Sequence, residues 1–171
     1  MTSFVATQLP AGTWTLDRAA SSAGFTAHQL GRAIPGSVPL TMATVDLGPE
    51  RDIRSAHIEL DLSSIETGIA KRDLDLAKPG LLNTGQFPTL SVDIAPAPWA
   101  DNGWHTKATL GVRGVAFDID VEIRVEAVEP DGGVRVLVTS AFDRKPIGMK
   151  VPRIAIGRNI EISVRAIFTH D

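Results

Sequence analysis

Hydrophobic and polar residues alternate along most of the chain. In His57-Ile58-Glu59-Leu60-Asp61-Leu62 the apolar residues take every second place, and from Phe117 to Glu126 the alternation runs for ten residues without a fault. Leu90-Ser91-Val92-Asp93-Ile94 and Asn159-Ile160-Glu161-Ile162-Ser163-Val164-Arg165 repeat it. A period of two gives each segment one dry and one wet face, as in antiparallel strands. Further strand candidates run from Gly24 to Leu30, Leu40 to Leu47, Lys107 to Val112 and Val134 to Phe142. Gly48-Pro49, Asp101-Asn102-Gly103 and Asp131-Gly132-Gly133 supply the turns between them. About eight strands of one kind predict an all-β, eight-stranded antiparallel barrel, because closure removes exposed edges. The 171 residues contain no internal repeat or linker and are expected to form one domain over 1–171.

One stretch breaks the rhythm. Between Ser64 and Ile94 the alternation stops and a short helical insert near residues 67–80 is predicted. Thr67 and Gly68 precede its start at Ile69, and Pro79-Gly80 ends it. Ser63-x-x-Glu66 fits the spacing of a capping box, and Lys71 and Asp75 are placed for an i,i+4 pair.

Composition narrows the function classes. Hydrophobic residues make up 43% and charged residues 22%, and cysteine is absent, which removes disulfides, thiolate metal sites and cysteine nucleophiles. A net charge of −3, aromatics at 5% and no tyrosine argue against a nucleic-acid partner. No apolar run reaches membrane-spanning length, and the opening MTSFVATQLPAGTW has neither the basic nor the apolar region of a signal peptide, so a cytoplasmic protein that does not span the membrane is expected. His28, His57, His105 and His170 are scattered without metal-ligand spacing. Asp61 belongs to the outward parity of its strand, and Glu66, Asp73 and Asp75 fall on the insert, where charges mark a solvated face. No catalytic group, metal or cofactor is therefore expected. Between residues 144 and 158 stand Arg144, Lys145, Lys150, Arg153 and Arg158 with no carboxylate among them, in a Pro/Gly-rich segment. They read either as a solvated loop or as a cationic rim for an anionic head group.

Several motifs, in order along the chain, resemble the YceI-like family of lipocalin-like barrels associated with polyisoprenoid binding. Trp14-Thr15-Leu16-Asp17, Ser21 or Ser22, Gly24-Phe25 and His28 resemble its opening. Ser64-Ile65-Glu66-Thr67-Gly68 followed by Arg72-Asp73 is similar to its S-I-x-T-G…R-D element, and Phe87-Pro88-Thr89-Leu90 to its aromatic-Pro step. Leu110-Gly111-Val112-Arg113-Gly114-Val115 resembles its L-T-I-R-G-V hairpin, and Asp143-Arg144-Lys145 through Gly148 its N-R-x-D-F-G turn. The resemblance covers Trp14 to Phe168. Asp75 stands where the family often has His, Leu81-Leu82 where it has paired Phe, and Pro146-Ile147 where it has Asp-Phe.

Parity places Phe25, Ile58, Leu60, Leu62, Leu90, Val92, Ile94, Leu110, Val112, Val121, Ile123, Val136, Val138 and Phe142 inside the barrel. Medium aliphatics dominate, which suits a channel for a flexible chain and equally a plain core. The resemblance implies the channel, and with it the binding of a long apolar lipid: a polyisoprenoid, a polyprenyl phosphate or an isoprenoid quinone. The expected ligand contacts are Phe25, Leu60, Leu62, Leu90, Val92, Leu110, Val112, Val121, Val136 and Phe142, with Arg144, Lys145, Lys150 and Arg153 at the head group. The alternatives are a small enzyme acting on an apolar substrate in the same cavity and a ligandless barrel serving as an interaction module. The resemblance also allows a homodimer.

Overall fold

A computed structural model describes residues 9–150 and 157–171. Ten strands form one antiparallel sheet: β1 (Gly12–Leu16), β2 (Ser22–Gln29), β3 (Arg32–Ser37), β4 (Leu40–Leu47), β5 (Ile53–Asp61), β6 (Thr89–Ile94), β7 (Gly103–Val112), β8 (Val115–Val128), β9 (Val134–Asp143) and β10 (Asn159–His170). Eight of them, β1 and β4 to β10, pair in sequence, and β1 closes the ring on β10. The β2–β3 hairpin is additional and hangs from β10. The closed eight-stranded barrel is thus as the alternation predicts.

β1 and β3 are the strands that the alternation does not reveal. β1 is five residues long, and β3 contains Pro35 and Gly36, which suit an edge strand better than a central one. β1 and β2 share one partner. Leu16 pairs with Phe168 and Ser22 with Arg165, so the chain between them makes a step along a single edge of β10. A 3₁₀ turn over Arg18–Ala20 makes that step. The Asp17 amide donates to the Ile167 carbonyl at 2.8 Å, and the Ser21 hydroxyl receives the Ile167 amide at 3.0 Å. These contacts keep both backbone groups of Ile167 satisfied across the break.

The insert is smaller than the sequence predicts. Its helix, α1, spans Ala70–Leu76. The capping box does not form. Asp61 instead accepts from the amide of Ser63 at 2.9 Å and from the hydroxyls of Ser63 and Ser64, stabilising a 3₁₀ turn over Leu62–Ser64. The start of α1 is organised by a side chain further along. Asp73 accepts from the Thr67 amide at 2.9 Å and hydroxyl at 2.5 Å, while Arg72 donates to the Thr67 hydroxyl and carbonyl, both at 2.7 Å. Thr67, Arg72 and Asp73 are thereby one unit, which explains their shared appearance in a single motif. The Lys71–Asp75 pair forms at 3.3 Å, and Lys78 joins it at 2.8 Å.

The two ends of the barrel differ. At one end, tight connections join β4 to β5 and β8 to β9, and a buried group that includes Ile53, Trp104, Val134 and Phe168 fills the interior. At the other end lie the insert, the β7–β8 turn, the β9–β10 connection and the tip of the β2–β3 hairpin. Outside the wall, polar residues of neighbouring strands pair. His57 on β5 meets Asp93 on β6 at 2.5 Å and Glu59 at 2.7 Å. The hydrogen bond with Glu59, followed by that with Asp93, raises the His57 pKa above its ordinary 6.5. Its protonated form is therefore favoured by folding, and that contribution is complete below pH 6.5 and lost as pH rises through the raised value. We predict that the stability difference between the native chain and His57→Gln is largest near pH 5.5–6 and shrinks through neutral to mildly alkaline pH, as checked by urea unfolding over that range with the His57 titration followed by NMR.

Candidate functional site

Alternation carries apolar side chains into the barrel along its whole length, yet they pack solidly only in one half. The other half encloses a cavity of about 320 Å³. Along six of the strands the lining stops at a definite residue. Ile58, Val92, Leu110, Val121, Val138 and Val164 line it, whereas Ala56, Ile94, Ala108, Ile123, Val136 and Ala166, each one pleat deeper, are buried in the packed half. Leu110 is fully excluded from solvent although it faces the cavity.

Of the ten expected ligand contacts, Phe25, Leu60, Leu62, Leu90, Val92, Leu110, Val112, Val121 and Phe142 line this space. Val136 does not. It has the correct parity but lies one pleat below the last lining residue of β9, so its neighbours are core side chains. The strand pattern also leaves out the covering residues. Ile34 and Val38 come from the hairpin and its exit, Ile65, Leu76, Leu81 and Leu82 from the insert, and Ile147 and Met149 from the β9–β10 connection. These segments have no period of two. The motif positions Arg72, Asp75 and Leu81-Leu82 were the available signals, and all four residues line the cavity.

Six polar residues contribute atoms to the almost wholly apolar lining: His28, Gln29, Thr67, Arg72, Asp75 and Ser140. Five of them belong to the hairpin or the insert, so polarity collects at the covered end. The Lys78 hydrogen bond, and after it that of Lys71, holds the Asp75 carboxyl below the usual carboxylate range. Phe25 is seated by a missing side chain. It lies opposite Gly36 across the hairpin, and a Cβ there would meet the Phe25 ring at 2.3 Å.

Of the expected head-group residues, Arg144, Lys145 and Lys150 are not in the cavity lining. Arg144 is buried, and its Nε donates to the Gly157 carbonyl at 2.9 Å. Its guanidinium therefore binds the two ends of the β9–β10 connection together. Lys145 and Lys150 are exposed. The Lys150 amide donates to the Gly80 carbonyl at 2.7 Å, which fastens this connection to the end of the insert. Arg153 lies outside the described residues.

Arg113 has a larger structural part than its motif suggested. Arg113 and Gly114 form the β7–β8 turn with φ of 53° and 74°, the paired positive values of a type I′ hairpin. From that tip the guanidinium donates to the carbonyls of Gly148 at 3.0 Å, Ile147 at 3.3 Å and Pro79 at 2.8 Å. One side chain thus ties the hairpin, the β9–β10 connection and the insert into a single rim.

A family model for the YceI-like domain matches residues 14–168. Among solved structures, BcnA of Burkholderia cenocepacia superposes with a TM-score of 0.79 at 16% identity, over 90% of this chain and 99% of that one. A polyisoprenoid binding domain from Saccharophagus degradans gives 0.63 at 15% identity, over 92% and 98%. The Campylobacter jejuni YceI protein gives 0.68 at 17% identity, over 84% and 88%. No curated protein matches the sequence. Among the described residues no helix is long and apolar enough to cross a membrane.

The Arg113 rim has a measurable consequence. Arg113→Asn keeps a residue that tolerates positive φ while removing all three hydrogen bonds. Hydrogen bonds from charged donors contribute about 1.5–3 kcal/mol when buried and less at this half-exposed site, so a loss of about 1–2 kcal/mol is expected in urea unfolding. Hydrogen exchange should accelerate at Ile147 and in residues 78–82, and remain slow in β5 and β8.

Proposed function

The chain belongs to the YceI-like domain family, and we propose that it binds and shields an apolar lipid chain of isoprenoid type within the barrel. The observation that carries this reading is the cavity itself: a space of about 320 Å³, walled by aliphatic side chains, with polar groups gathered at the end covered by the hairpin and insert. Empty apolar space has no polar partners with which to hold water, and it gains from any hydrocarbon that enters. The polyisoprenoid binding domain among its structural neighbours supports the ligand class.

The volume lies at the lower end of the roughly 300–1,000 Å³ range of ligand pockets. Its aliphatic wall suits the repeating isoprene units of a prenyl tail. Burial contributes about 0.8 kcal/mol per CH₂, so each unit gains several kcal/mol before ordering costs. The tail therefore dominates affinity, and a longer chain would leave the cavity through the covered end. There a phosphate would meet Arg72, with Lys145 and Lys150 on the rim. Expected contacts along the tail are the lining residues Leu60, Leu90, Leu110, Val121 and Phe142. The gathering of polar groups away from the deep lining supports binding over catalysis.

Displacement of a fluorescent prenyl probe by a series of prenyl alcohols tests the reading. Affinity should rise with chain length and flatten once the tail outgrows the cavity. Leu60→Trp fills the space and should weaken binding more than tenfold while lowering stability by less than about 1 kcal/mol. A solid interior would behave in the opposite way, with overpacking costing about 1–3 kcal/mol and no ligand effect to measure. Absence of probe binding by the native chain would overturn the proposal.

A further inference from the structure

The large apolar side chains exposed among the described residues are not scattered. They are Leu30, Met42, Ile69, Leu74 and Val115. Leu30 forms the tip of the β2–β3 hairpin, Ile69 and Leu74 belong to the insert, and Val115 follows the β7–β8 turn. Met42 lies opposite Glu59 in the same half of the wall. All five therefore belong to the cavity end, and none to the packed end. The most exposed, Leu30 at 73%, Leu74 at 72% and Ile69 at 53%, stand on the two segments that cover the cavity. Single exposed apolar residues need no explanation, but a set confined to one end does.

Charge is divided along the same axis. The segments at the cavity end, residues 30–32, 62–88, 113–114 and 144–150, carry seven cations besides the buried Arg144 against three carboxylates. The connections at the packed end, residues 48–52, 95–102 and 129–133 together with Asp171, carry six carboxylates against Arg51 alone. A chain of net charge −3 therefore presents a positive face at its cavity end and a negative one opposite. Arg32, Lys71, Lys78, Lys145 and Lys150 are the exposed cations of the positive face.

We propose that the cavity end docks on an anionic lipid bilayer, with Leu30, Ile69 and Leu74 entering the interface and the surrounding lysines and Arg32 meeting the phosphates. Anionic lipid complements the sign of this face, and exposed leucines amid lysines form the pattern of interfacial insertion. The negative packed end would point away from the surface, which fixes the orientation. The inference deepens the lipid-binding reading and rests on it for its purpose: the cavity covering would lie against the membrane that holds the apolar chain.

Flotation with vesicles of phosphatidylcholine alone, or with a quarter of phosphatidylglycerol, tests the docking face. The native chain should float with the anionic vesicles several-fold more than with neutral ones, and the difference should largely vanish at 0.5 M salt. The double variant Leu30→Asn, Leu74→Gln should lose most of the binding with its melting temperature within a few degrees of the native value. Both sites are exposed, and Asn tolerates the φ of 50° at position 30. A native chain that does not float with anionic vesicles, or a double variant that floats equally well, would overturn the docking face. Prenyl-probe binding measured on the same samples separates the two readings. Probe uptake without flotation removes only the docking face, and flotation without probe uptake removes only the lipid-binding reading.

Discussion

The structure depends on how one edge of β10 is shared. β10 is twelve residues long, and a closed ring must satisfy the backbone groups along its free edge. Neither β1 nor β2 covers that edge alone. β1 pairs near Phe168–His170 and so closes the barrel, whereas β2 pairs from Glu161 to Arg165 and then leaves as a hairpin. The step at Asp17–Ser21 makes both possible, with the Ile167 amide and carbonyl taken up by Ser21 and Asp17. The division into a closed end and a covered end follows. Where β1 closes the ring the interior packs; where β2 and β3 hang from it, the ring is completed by loops and the insert.

Hydrogen bonds from arginines hold that covered end together, and they reduce the need for apolar packing there. Arg113 joins three segments through their carbonyls, Arg72 grips Thr67, and Arg144 reaches the Gly157 carbonyl. Carbonyl acceptors at helix ends and turns would otherwise need water. With the rim fixed in this way, Leu76, Leu82, Ile147 and Met149 can face inward across a space without filling it. A void of this size would carry a stability cost in a plain core, because its lining lacks contacts on one side. Its persistence is intelligible if hydrocarbon fills it.

The covered end also concentrates the positive charge and the exposed leucines, so cavity, rim and surface character coincide in the same segments. The cations used for structure differ from those left on the surface. Arg113 and Arg144 are directed at backbone carbonyls, and Lys71, Lys145 and Lys150 project outward. An arginine fork can hold two carbonyls at once, whereas a lysine offers a mobile point charge. Arg32 remains on the surface with the lysines, so residue type alone does not assign the role, and the run of like charge from Arg144 to Arg158 reads in sequence either as a solvated loop or as a cationic rim.

Alternation alone determined eight of the ten strands, their antiparallel character and the face that their residues show, but not β1 and β3. Leu60, Val92, Leu110 and Val121 turn inward because side chains alternate across a pleated strand, a local property that needs no knowledge of partners. Motif order determined the family for the same reason: Thr67 with Arg72-Asp73 and Arg113 with Gly114 are short-range units. Depth along the barrel axis was beyond reach, because parity repeats every two residues without saying how far each is from the closed end. Val136 and Val138 are equivalent in sequence, and only the register of β9 against β8 and β10 puts one in the core and the other on the cavity wall. The same holds for Arg144, whose burial depends on Gly157, thirteen residues away across the β9–β10 connection. Periodicity records direction; position along the axis exists only once the strands have paired and the ring has closed.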